Sequence, residues 1–292
     1  MQRVIIYLLS LLMTLGSFVA RAAGDQKVEQ LLAQARAALG GEKNLNKIKG
    51  LTATGIYQRT LQDRQLSGEI TIDLELPDKI LRTESMNPMG DLTVITEQGI
   101  NGETLLRHQH AVNPPPGAMI RMPPAPTGDA ATQAMRNARA DFARTALALL
   151  FTSPASMPLE YSYGGEAESD DGKADVVDAK GEGSFAVKIF LDKATHRPLM
   201  LAYRGVAPRI VIQTQRGPAP PDGARPAEHG DAPRPAADLV DIQLFLDDYK
   251  NVNGVMVPHH LSRSIDGKPA EEMTFKSITL NPVFKPGTFA QR

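Results

Sequence analysis

Residues 68–86, GEITIDLELPDKILRTESM, alternate cleanly between apolar and polar. Ile70, Ile72, Leu74 and Leu76 share one side of an extended chain, and Glu69, Thr71, Asp73 and Glu75 the other. Pro77 stops the run and a second begins at Ile80. The pattern predicts strands over about 67–76 and 79–86, joined by a tight turn, with one apolar face. Further extended runs follow the same rule. One spans about 51–60. DLTVITEQG and ETLLRHQH flank Ile100-Asn101-Gly102, a hairpin signal. Beyond Pro158, strands are expected at about 159–163, 174–180, 184–192, 198–204 and 208–215. LVDIQLFLDDY, GVMVPHHLSRSI and EEMTFKSITLN close the chain. About twelve runs joined by hairpin-length links argue for an antiparallel sheet curled over helices, not a parallel α/β fold.

Two segments switch to helical spacing. In GDQKVEQLLAQARAALGG, Val28, Leu31, Leu32, Ala35 and Leu39 form one stripe, Asp25 is the expected N-cap, and Gly40-Gly41 ends the helix. A longer helix is expected over about 129–152, capped by Asp129. Its stripe is Met135, Ala138, Phe142, Thr145 and Leu149. The prolines at 114–116, 123, 124 and 126 make the preceding stretch a loop. Residues 216–238 hold six prolines and almost no apolar bulk, and are expected to be a disordered loop. Residues 1–23 have Arg3, an apolar run from Val4 to Leu15, and then Ala20-Arg21-Ala22. This is the layout of a cleaved secretory signal peptide. One domain is expected over 24–292, exported to a bacterial periplasm.

Composition narrows the chemistry. With no cysteine there is no disulfide, thiol nucleophile, Cys-based zinc site or lipid-anchored lipoprotein signal. The net charge of −1 becomes −3 once Arg3 and Arg21 leave with residues 1–23. No basic field suggests nucleic acid as partner. About 270 residues suffice for a large core.

Few motifs carry chemistry. GEGSFA, residues 181–186, matches a loose dinucleotide fingerprint but precedes an alternating strand, and reads as a hairpin turn. His108 and His110, two apart on a strand, share a face and could hold one metal with a third ligand; the plain alternative is polar residues near a strand end. His259 and His260 face opposite ways. Asp247-Asp248 and Glu271-Glu272 read as solvated strand edges rather than acid/base pairs. There is no His-Glu-x-x-His, Gly-x-Ser-x-Gly or Walker loop, and no cofactor is called for.

Several phrases then fall in order: AALGGEKNLNKIKGLTATG, GEITIDLELPDKILRTESM, EQGINGETLL, DYKNVNGVMVPHHLSRSIDGK and ITLNPVFKPGTF. This order resembles the periplasmic lipoprotein-carrier superfamily (LolA/LolB-like), especially its exported relatives. The resemblance implies a mainly β (α+β) fold. It would be a strongly bent antiparallel sheet or incomplete β-barrel of about eleven strands, with helices covering the concave face. It also implies an apolar cavity that carries acyl chains. Those carriers place a basic residue just before the proline that ends the third strand. Here Glu75 and Leu76 precede Pro77, whereas Lys79 and Arg82 follow it in another register, so that role is not transferred. The chain is also poorer in aromatics, at 5% with no Trp.

The resulting expectation is a non-enzymatic carrier-like protein that binds a lipid, a lipoprotein acyl chain or another amphiphile by apolar burial. The expected lining is Ile70, Ile72, Leu74 and Leu76 from the opening strand, Met135, Phe142 and Leu149 from the long helix, and Val187, Ile189, Leu244 and Leu246 from later strands. The alternative is an envelope-sensing or scaffold protein of the same fold that binds another protein over a filled core. The third reading is a metal-dependent hydrolase built on His108 and His110.

Overall fold

The computed structural model describes residues 24–61, 64–89, 92–114, 125–170, 172–206 and 239–291. The predicted signal peptide, the strand at 208–215 and the loop at 216–238 lie outside the described residues.

Helix α1 (24–38) buries Val28, Leu31 and Ala35. It ends where Gly40 and Gly41 take positive φ of 121° and 83°, a conformation other residues resist. Asp25 lies inside this helix and does not cap it. After the one-turn α2 (Glu42–Leu45) come five strands: β1 (Gly50–Leu61), β2 (Arg64–Glu75), β3 (Lys79–Met89), β4 (Leu92–Asn101) and β5 (Thr104–Val112). Helix α3 (Gly128–Leu150) separates them from β6 (Glu160–Ser169), β7 (Gly172–Lys180), β8 (Ala186–Asp192), β9 (Pro198–Val206), β10 (Leu239–Val252), β11 (Val255–Ile265) and β12 (Lys268–Leu280).

All twelve strands form one antiparallel sheet in the order β5-β4-β3-β2-β1-β12-β11-β10-β9-β8-β7-β6. The fold is mainly β, and the sheet is not closed into a barrel, since β5 and β6 end the order unpaired with each other. The count is twelve where about eleven were expected. β6 and β7, both expected, are longer than the runs at 159–163 and 174–180 and pair as a hairpin from Glu160 with Lys180 to Ser169 with Gly172.

The opening stretch folds as its alternation predicts. Ile80 pairs with Leu74 and Met86 with Gly68 across a turn at 76–78. The β4–β5 hairpin turns on Gly102 at φ 59°, between paired Asn101 and Thr104. GEGSFA is the β7–β8 turn, where the Gly181 N–H donates to the Phe185 carbonyl at 3.0 Å. In β1 the register against β12 shifts between Thr54 and Gly55, and a Cβ at Gly55 would collide with the Thr274 carbonyl, so glycine is required at this bulge.

One large apolar cluster takes residues from α1, from α3 and from strands along the sheet. The second half of α3 enters it with Phe142, Ala146, Leu149 and Leu150, whereas residues 128–141 are half-buried or exposed. Thr127 is the N-cap, and Asp129 lies in the first turn, where its carboxylate meets the positive end of the helix dipole. Phe151, left-handed at φ 49°, ends the helix. α3 touches β4 and β5 at one end of the strand order and β9 and β11 further along it. A smaller cluster of Leu81, Leu106, Phe284 and Phe289 lies on the opposite side of β3–β5, under the C-terminal segment.

Candidate ligand site

The register defines a core-facing side for each strand. On β1 it carries Leu51, Ala53, Tyr57 and Arg59; on β2, Leu74, Ile72 and Ile70; on β3, Ile80, Arg82, Glu84 and Met86. Past the bulge, β12 contributes Phe275, Met273 and Glu271, and β11 contributes Leu261 and Arg263. Aliphatic side chains therefore give way, on the same face, to a knot of charge.

In that knot, Arg59 forks onto Glu84, with Nη2 2.8 Å from Oε1 and Nη1 3.2 Å from Oε2. Arg59 Nη2 also donates to Glu271 Oε1 at 2.5 Å. Arg82 donates from Nε to Glu84 Oε1 at 2.6 Å and from Nη2 to Glu271 Oε1 at 2.7 Å. Arg263 Nη1 lies 3.2 Å from Glu271 Oε2, close enough for an ion pair but not aligned as a hydrogen bond. The Glu271 side chain is only 3% exposed, whereas those of Arg82 and Arg263 are 23% and 20% exposed.

Burial by itself would push the Glu271 carboxyl up. Arg82, Arg263 and Arg59 outweigh it and hold the group down at about 2. Glu84 follows the same balance: burial raises it, and Arg82 and Arg59 pull it below the ordinary carboxylate range. Both carboxylates are thus ionised, and three guanidiniums face two negative charges. Burial and the neighbouring Glu84 push the Tyr57 phenol up to about 12. Its hydroxyl is buried without a hydrogen-bond partner, as are Arg263 Nε and Arg144 Nε. Arg144 reaches in from α3 and stacks 4.0 Å above the Tyr203 ring.

The core-facing side continues over the sheet edge as Gln98 and Thr96 on β4 and Leu105, Arg107 and Gln109 on β5. Gln98 is exposed and the others are half-buried, and Gln109 Nε2 donates to Thr96 Oγ1 at 3.1 Å. Met86, Leu105, Met135 and Ala138 pack at the border of the core, partly exposed. Arg139 of α3 pairs with Glu103 in the β4–β5 turn and fixes the first half of the helix near this edge.

Eleven residues were expected to line a cavity. Ile70, Ile72, Leu74, Phe142, Leu149, Val187, Ile189, Leu244 and Leu246 are buried in the large cluster, and Leu76 and Met135 pack at its margin. The structure thus brings all of them together. Two clefts among the described residues lie elsewhere. One, of about 330 Å³, separates Glu75, Lys79 and Asn101 from the C-terminal residues Phe284–Ala290. The other, of about 30 Å³, lies beside Glu271 and Gln58.

The reading of Glu271-Glu272 as a solvated edge is half wrong. Glu272 is exposed, but Glu271 is buried because it shares the parity of Met273 and Phe275. The core-facing charged residues were missed for a related reason. Arg59, Arg82, Glu84, Arg263 and Glu271 each occupy an apolar-parity slot, and this signal is in the sequence. His108 and His110 do share a face, with ring centroids 5.2 Å apart, but it is the face of Leu106, away from the core. No group of three metal-ligating side chains is found among the described residues. His259 is buried, its Nδ1 3.0 Å from the Val257 carbonyl oxygen, and His260 is half-buried on the other side. Among the described residues no helix is long and apolar enough to cross a membrane.

No family model and no curated protein matches the chain by sequence. Solved structures do. The LolA superfamily protein NE2245 from Nitrosomonas europaea is 11% identical, with 88% of this chain and 94% of that chain covered and a TM-score of 0.46. A putative outer membrane lipoprotein-sorting protein domain from Vibrio parahaemolyticus is 9% identical over 91% of this chain and 97% of that one, at a TM-score of 0.45. A DUF1329 family protein from Desulfovibrio piger is 8% identical over 90% and 96%, also at 0.45.

Proposed function

We propose that this is an exported, non-enzymatic carrier-like protein that binds a lipid, a lipoprotein acyl chain or another amphiphile on the core-facing side of its sheet, with α3 lying over the concave face. The observation that carries this reading is the partly exposed apolar border of Met86, Leu105, Met135 and Ala138. These residues pack against the apolar core, and Met86 follows Glu84 of the partly buried charge cluster on the same face of β3, in a sheet that is not closed. An amphiphile has the same two-part chemistry. Its chain gains about 25 cal/mol per Å² of apolar area buried. The site belongs at this border rather than deep among Ile70, Ile72 and Leu74, which are already packed.

Native mass spectrometry of the protein purified gently from its own envelope fraction tests the proposal. A co-purifying amphiphile of defined mass is expected. Apo protein that takes up no added lipid contradicts it. The tight burial of nine of the eleven expected lining residues favours one second reading, a sensor or scaffold that binds another envelope protein over a filled core.

A further inference from the structure

We infer that Arg59, Arg82 and Arg263 form the seat of an oxyanion, the carboxylate or phosphate head of the amphiphile, with the Tyr57 hydroxyl as an additional donor. The inference rests on the amphiphile reading and specifies the polar end of its site.

Charge comes first. Three guanidiniums surround two ionised carboxylates, which leaves one positive charge in excess within the cluster, on a face that is aliphatic on one side of it and continues as Thr96, Gln98, Arg107 and Gln109 on the other. A partly desolvated charge of this kind is costly unless an opposite charge meets it. Geometry points the same way. Arg59 and Arg82 spend their donors on Glu84 and Glu271. Arg263 does not: its approach to Glu271 is not a hydrogen bond, and its Nε has no partner. The Tyr57 residue is 0% exposed and its hydroxyl is also unpartnered. Unused donors beside an excess positive charge suit an acceptor-only group, and guanidinium geometry matches carboxylate or phosphate oxygens. Glu84 and Glu271 then hold the arginines in place. The apolar border begins at once, because Met86 follows Glu84 on the same face of β3. A head on the arginines would leave its chain on that border.

The test is binding by calorimetry to the mature full-length chain. It compares oleate, dodecyl phosphate and the neutral oleyl alcohol, each below its aggregation concentration, with inorganic phosphate as competitor. Oleate should bind at least tenfold more tightly than oleyl alcohol. Arg263→Gln, which balances the cluster at two against two, should remove most of that difference and leave oleyl alcohol unchanged, with a circular dichroism spectrum like that of the wild type. Tyr57→Phe, which changes no charge, should weaken oleate several-fold. The relative strengths of oleate and dodecyl phosphate show which head is preferred, and competition by inorganic phosphate shows whether the seat accepts the head alone. If all three ligands bind alike and Arg263→Gln and Tyr57→Phe change nothing, the oxyanion seat is wrong while the amphiphile reading stands. If none binds, both fall.

Discussion

At the residue scale, Glu271 carries the most consequence. It is the one carboxylate that meets all three arginines, and it is almost completely buried. Glu271→Gln leaves three guanidiniums with Glu84 alone, so the variant should lose about 3–5 kcal/mol of stability in urea unfolding. The pH dependence follows from the depressed carboxyl. Its folded value of about 2 lies below its ordinary 4.5. The unfolded chain therefore binds more protons between these values, and the stabilisation is complete above about 4.5 and lost as pH falls towards 2. On the order of 3 kcal/mol should disappear over that window in the wild type, and that loss should be absent from the pH–stability curve of Glu271→Gln. An equal slope in both proteins would show that other carboxylates govern acid unfolding. Such residues were partly legible in the sequence. Arg82 and Glu84 sit at the spacing of Ile80 and Met86, and Arg59 at that of Tyr57, so their direction could be read. That four strands converge on one knot could not, because it depends on register between β1, β3, β11 and β12, segments about 200 residues apart.

At the element scale, α3 divides into two halves with different duties. Its second half is sealed, with Phe142 1% and Leu149 2% exposed, whereas Met135 in the first half lies at the border. Phe142→Ala should cost about 3–5 kcal/mol by chemical denaturation. Met135→Ala should cost under about 1 kcal/mol. Similar losses at both sites would mean that the whole helix is core. The stripe was legible as one face, but a periodic pattern does not say where along a helix the packing stops; that is set by which strands lie beneath. Hairpins were the most legible elements. Pro77, Gly102 and Gly183 mark turns through local backbone chemistry alone, and the strands beside them folded as read. The Asp25 and Asp129 caps failed because helix starts depend on the preceding chain, here Thr127 for α3.

At the scale of the whole molecule, twelve antiparallel strands in one unclosed sheet give a core side that is apolar over most of its extent and charged at one part of its border. The strand count and antiparallel pairing were within reach of the sequence, since every link between consecutive strands except the α3 connection and the 207–238 segment is only a few residues long. The filled state of the face in GEITIDLEL was not, because alternation marks a buried face whether protein or ligand covers it. The central claim is that an amphiphile binds at the border and not in the deep core. A fluorescent fatty acid titrated into Met135→Glu and Leu74→Glu, each with a circular dichroism spectrum, tests it most directly. Leu74 is 0% exposed, so a carboxylate there should unfold the protein. Met135→Glu should keep the wild-type spectrum and lose most of its fatty-acid binding. A folded Met135→Glu protein that binds like wild type would contradict the account.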